Sequence, residues 1–158
     1  MDLKEYVIEV TRNAAEESFR YANKVPADKW DWMPLDGGRS VMDICRELAV
    51  CPTWALDTIN NKDLSEWTEE DAAKARAEAN QWKTPEDCYE ICKQRLEELF
   101  TLYRSLSEER LAETKWLPYE GGRDFTMAEM MDYPRWNFNY HTGQIAYIQT
   151  LYGDKEMY

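Results

Sequence analysis

Apolar residues recur along this chain at spacings of three and four, the signature of helices that bury one stripe. From Asp2 to Asn23 that stripe is Leu3, Val7, Val10 and Ala14, with Asp2 as N-cap and Glu5 three residues on as an Asx version of a capping box. A second helix begins at Ser40, with Asp43 in the reciprocal position, and runs to about Asn60 with Val41, Ile44, Leu48 and Ala55 inward. Pro52 lies inside it and predicts a kink, because proline lacks an N–H and crowds the preceding turn. In "TPED" Thr84 caps a third helix, Pro85 opens it and Asp87 sits at N3; its inner face is Cys88, Cys92, Leu99, Tyr103 and Leu106. A fourth starts at Thr126, closed by Glu129, and stops near Tyr152 ahead of Gly153. No convincing period-two stretch appears, so no strand is expected. Residues 61–83 form the longest connection, with "TEEDAAKARAEA" as a short surface helix.

Four helices of about 20 to 27 residues predict an all-α four-helix bundle. Two phrases nearly rhyme: "KWDWMPLDGGRSVMD" before the second helix and "KWLPYEGGRDFTMAE" before the fourth. The echo continues into Pro52-Thr53-Trp54 and Pro134-Arg135-Trp136. A repeat of two helical hairpins explains this most simply; convergent use of good loop and cap residues is the alternative. Packing the two hairpins about a pseudo-two-fold axis sets helices 2 and 4 antiparallel. The order is then up-down-down-up, with a long crossover between helices 2 and 3, where the longest connection falls.

The 158 residues suit one domain over 1–158. Seven Trp and ten Tyr supply buried area and suit pockets and interfaces. A net charge of −12, from 31 acids and 19 bases, argues against nucleic acid and against an anionic membrane as partners. No apolar run is long enough to span a bilayer, and "MDLKEYVIEV" has no signal-peptide core. Without an export signal, Cys45, Cys51, Cys88 and Cys92 read as reduced thiols of a cytoplasmic protein.

The single histidine, His141, is in phase with Asn137, Gln144, Ile148 and Leu151 and so faces inward. Antiparallel helices 2 and 4 bring Glu47 to a similar depth; parallel ones would separate the two by about 12 Å at about 1.5 Å per residue. Asn137, one turn before His141, completes a trio. Two readings of it stand: a weakly held divalent ion with waters filling its shell, or a Glu–His–Asn hydrogen-bond cluster with no metal. Cys88 and Cys92 share a helix face, but the spacing of compact zinc sites is absent, and buried small hydrophobes are the preferred reading. "DGGR" and "EGGR" are too short and too acidic to cradle phosphate, and no nucleophile elbow or phosphate loop appears.

"WMPLDGGRSVMDI" entering the second helix, the long crossover, and "HTGQI" followed by "LYGD" give the chain a resemblance to the DinB-like superfamily. The resemblance covers most of the chain and implies an up-down-down-up bundle and a homodimer. It also implies a Zn²⁺ or Ni²⁺ ion on three histidines, one in helix 2 and two spaced by four in helix 4. Carried onto this chain, those positions are Glu47, Asn137 and His141, so one imidazole is kept and two oxygen donors replace the others. Harder ions such as Mn²⁺ suit that set better. The resemblance therefore implies a degenerate metal site in a metal-dependent hydrolase or thiol transferase. The alternative is a dimeric, non-catalytic small-molecule-binding or structural module that has lost the metal.

Overall fold

The computed structural model describes residues 2–60 and 68–158. Residues 61–67, the first part of the expected long connection, lie outside the described residues. Four long helices carry the fold: α1 (Leu3–Lys24), α2 (Val41–Ile59), α4 (Pro85–Ser105) and α6 (Met127–Leu151). Two shorter ones, α3 (Glu69–Ala79) and α5 (Glu108–Ala112), lie in the connections, and a 3₁₀ turn at Ala27–Lys29 follows α1.

The caps fall where the sequence puts them. Ser40 with Asp43, Thr84 with Asp87 and Thr126 with Glu129 each close both halves of a capping box, satisfying donors that have no partner inside the helix. Thr68 and Asp71 do the same for α3, which buries no residue, as expected of a surface helix. At α1 the expected box is only half made. Asp2 accepts from the Lys4 N–H, while Glu5 turns to Arg104 at 2.9 Å. Leu3 is 57% exposed rather than buried, because the first turn of α1 meets the end of α4, where Lys4 Nζ donates to the carbonyls of Arg104 and Leu106.

The expectation of no strands is corrected by one antiparallel pair, β1 (Thr114–Leu117) and β2 (Arg123–Thr126), in the register Thr114 to Thr126. Strands of four residues are too short to show a period of two, and their turn is the second rhyming phrase. Glu120, Gly121 and Gly122 all take positive φ there. The first phrase remains a loop, so the two share their caps and not their backbone.

α2 packs against α4 and α6, and α1 packs against the same two helices; α1 and α2 scarcely touch. The helices within each half of the chain, α1 with α2 and α4 with α6, therefore lie across the bundle from each other, whereas α2 lies beside α4. The core between them contains Phe19, Ile44, Leu48, Leu99, Phe100, Tyr103, Phe138 and Ile145, all essentially solvent-free.

α2 and α6 each contain a proline, and α4 donates hydrogen bonds to carbonyls near both. Pro52 leaves the Leu48 carbonyl without its i+4 N–H, and the Cys92 thiol donates to it at 3.5 Å. Arg95 donates to the next carbonyl, Ala49, at 3.0 Å. Beside Pro134 in α6, the buried Tyr103 hydroxyl donates to the Met131 carbonyl at 3.0 Å.

Core truncation tests this packing. Leu48→Ala should lower unfolding free energy by about 3 kcal/mol through lost burial and a cavity. Leu3→Ala should change it by less than about 0.5 kcal/mol. Urea denaturation of both variants gives the comparison, and equal losses would contradict the packing described.

Candidate functional site

α2 and α6 hold the polar groups that the sequence singles out. Glu47 lies on α2 one turn before Pro52, and His141 on α6 two turns after Pro134. His141 is 2% exposed, and its Nε2 meets Glu47 Oε1 at 2.9 Å. Its Nδ1 faces Gln144 Oε1, one turn along the same helix, at 2.7 Å. Both ring nitrogens are thus engaged inside the protein.

Glu47 is more open, its side chain 43% exposed, and its second oxygen pairs with the Arg39 guanidinium at 2.5 Å. Arg39 comes from the first Gly-Gly loop and also donates to the Asp43 carbonyl at 3.1 Å, which fixes it against the start of α2. The hydrogen bond from His141, and then the charges of His141 and Arg39, outweigh partial burial and draw the Glu47 carboxyl down to about 2. Glu47 is accordingly a fixed anion and a weak base.

Asn137 is buried, as expected, but its side chain hydrogen-bonds Cys51, whose thiol burial pushes up to about 12. Glu47 and His141 therefore meet, while Asn137 lies one turn away and serves another partner. Among the described residues no group of three or more His, Cys, Asp or Glu side chains gathers to hold a metal ion. The donor set does not fit a resident transition metal. The imidazole is engaged on both nitrogens by Glu47 and Gln144, the carboxylate already pairs with that imidazole and a guanidinium, and the amide is a poor ligand turned elsewhere.

The four cysteines are buried free thiols, in keeping with the small-hydrophobe reading. Arg39 and Gln144 escaped the sequence reading. An arginine just ahead of a capping box was the available signal for the first, and the inward phase of Gln144 with His141 for the second.

Beside the polar centre runs a row of rings. Trp54 of α2 meets Tyr133 of α6 at 4.6 Å between centroids; Tyr133 then stacks with Trp136 at 6.0 Å and Trp136 with Tyr140 at 5.4 Å. Tyr140 stands edge-on to His141 at 5.2 Å. Trp54, Trp136 and Tyr140 are thus linked to the histidine. Next to this row, under the β1–β2 hairpin, a cavity of about 480 Å³ is bounded by Tyr119, Phe125, Met130, Tyr133 and Trp136.

Solved structures share this arrangement of helices. YfiT from Bacillus subtilis, described as a probable metal-dependent hydrolase with an unusual four-helix bundle topology, matches with a TM-score of 0.70 at 15% identity, over 95% of this chain and 87% of that one. The mycothiol-dependent maleylpyruvate isomerase matches with a TM-score of 0.65 at 14% identity, over 92% of this chain. What these structures share with this chain is the fold, a four-helix bundle. The chain spans only 61% of the isomerase's length. The colibactin self-resistance protein ClbS, solved in complex with a double-stranded DNA, shares the fold with a TM-score of 0.64 at 14% identity, over 92% of this chain and 94% of that one. No protein-family model and no curated protein sequence matches the chain.

The depressed carboxyl of Glu47 generates a pH signature. A group lowered from 4.5 to about 2 stabilises the fold above the unfolded value, and that stabilisation is lost as pH falls through this window. Because the pair is partly exposed, Glu47→Gln should cost only about 1 kcal/mol above pH ~5, the gap closing toward pH ~2. Urea unfolding at several pH values measures it; a gap independent of pH would contradict the assignment.

Proposed function

We propose that this DinB-like bundle binds a small organic molecule in the aromatic groove between α2 and α6, with a polar centre that holds together without a resident metal. The observation that carries this reading is the double occupation of Glu47, by His141 on one oxygen and by Arg39 on the other. A guanidinium supplies the positive charge that a metal would bring to the carboxylate. His141 lies beneath Glu47 as its positioning residue, and Glu47 is the group that faces a ligand.

The reading keeps one domain over 1–158, assembled as a cytoplasmic homodimer. The chain order is up-down-down-up, with the crossover from α2 to α4 passing through α3. Residue pairs support that order. Lys4 and Asn23 of α1 meet opposite ends of α4, at Leu106 and Glu86. Glu47 and Trp54 of α2 meet His141 and Tyr133 of α6 in reverse sequence. Nucleic acid stays outside the reading despite the ClbS complex, because the net charge of −12 opposes a phosphate backbone.

A metal-dependent hydrolase or thiol transferase is the second reading, favoured by the direct contact of Glu47 with His141. In it Zn²⁺, Ni²⁺ or Mn²⁺ sits on Glu47, Asn137 and His141, which requires Arg39 to withdraw and Asn137 to leave Cys51. Elemental analysis separates the two, using untagged protein incubated with each ion and then desalted. The metal-free reading expects less than about 0.1 equivalent bound, and increased uptake in Arg39→Ala, which frees a carboxylate oxygen. One equivalent, lost in both Glu47→Ala and His141→Ala, would overturn it.

A further inference from the structure

The cavity under the β1–β2 hairpin has its own chemistry. Its volume of about 480 Å³ suits a compact organic ligand. The walls carry aromatic rings: Tyr133 and Trp136 from α6, Phe125 from β2, and Tyr119 from the hairpin turn. Tyr119 is anchored edge-on to Trp54 at 5.9 Å, so the turn is fastened over the groove between α2 and α6. Trp136 is 55% exposed, presenting aromatic surface to an incoming molecule.

The charged groups at its mouth are unequal. Among the described residues, Glu120, Glu129 and Asp132 line the cavity against a single cation, Arg123. Arg123 binds Glu120 at 2.8 Å and Glu129 at 3.0 Å, and Arg135, outside the lining, binds Asp132 at 2.6 Å. Counting both arginines, three carboxylates still exceed two guanidiniums. The cavity already stacks one cation on an aromatic face, since the Arg123 guanidinium lies 3.6 Å from the centre of the Phe125 ring. Ring faces are the negative ends of their quadrupoles, so the remaining walls favour the same kind of guest.

We propose that this cavity is a binding site for an organic cation, a quaternary or tertiary ammonium carried on an aromatic or similarly flat body. The ammonium lies against Trp136 and Tyr133, with Asp132, held by Arg135 through both oxygens, contributing to the net negative charge of the lining, and the flat body lies under Tyr119 and Phe125. Tyr133 belongs both to this cavity and to the row of rings leading to His141, so a guest long enough to pass it reaches toward Glu47. This deepens the small-molecule reading above and rests on it.

The test uses three benzyl probes of different charge: benzyltrimethylammonium, benzyl alcohol and phenylacetate. Each is titrated into the full chain and its variants by isothermal titration calorimetry, while in the parent chain the indole N–H resonance of Trp136, assigned through Trp136→Phe, is followed by NMR. Benzyltrimethylammonium should bind about tenfold more tightly than benzyl alcohol, with phenylacetate weaker still. Trp136→Ala, at a half-exposed position, should weaken the cation about tenfold, and Asp132→Asn about threefold. Phenylacetate binding as tightly as the cation, an unchanged affinity in Trp136→Ala, or no saturable binding of any probe would each overturn the proposal. These outcomes are separate from metal content. A stoichiometric metal would remove the metal-free centre and leave the cation preference to stand or fall on the titrations.

Discussion

The architecture depends on the hydrogen bonds that α4 donates into two proline-containing helices. Proline inside a helix leaves a carbonyl without its N–H, and an unpaired buried carbonyl costs about 1–3 kcal/mol. Cys92 and Arg95 donate to carbonyls near Pro52, and Tyr103 to one near Pro134. These bonds tie α4 to both neighbours, which fixes α2 and α6 relative to each other through a third helix. Glu47 and His141 lie one and two turns from those prolines. Their contact follows from how α4 holds those two helices.

The polar centre is built by the same logic of satisfaction. A buried imidazole needs partners for both nitrogens, and Glu47 and Gln144 provide them. The partly open carboxylate then needs a cation, and Arg39 provides it from a loop that also enters the capping box of α2. The loop that starts the helix thus neutralises the anion two turns inside it. With the histidine shielded below and the arginine at its flank, what the centre shows to the groove is one strongly acidic carboxyl.

Much of this was legible from residue types. Caps at Ser40, Thr84 and Thr126, the inward stripes, and the convergence of Glu47 with His141 all follow from periodicity and spacing, which local physics enforces. The hairpin was not legible, because four-residue strands carry too little pattern. Leu3 was misplaced since a helical stripe cannot say where its neighbour ends. The orientation of Asn137 toward Cys51, and the arrival of Arg39 at Glu47, depend on long-range packing that no local spacing encodes. Those two contacts alter the chemistry of the site most.

Because α1 and α2 scarcely touch and each packs against α4 and α6, many stabilising contacts join distant parts of the chain. Ser18 reaches Phe138 across 120 positions, and Lys4 reaches Leu106 across 102. A bundle of adjacent hairpins can zip locally, helix onto next helix. Here the first half has no such local partner and waits for the C-terminal helices, so the entropy of closing long loops is lost before most of the apolar surface is covered. The protein should fold slowly for an all-helical chain, with α1 and α2 exposing their apolar stripes while the rest is still being synthesised.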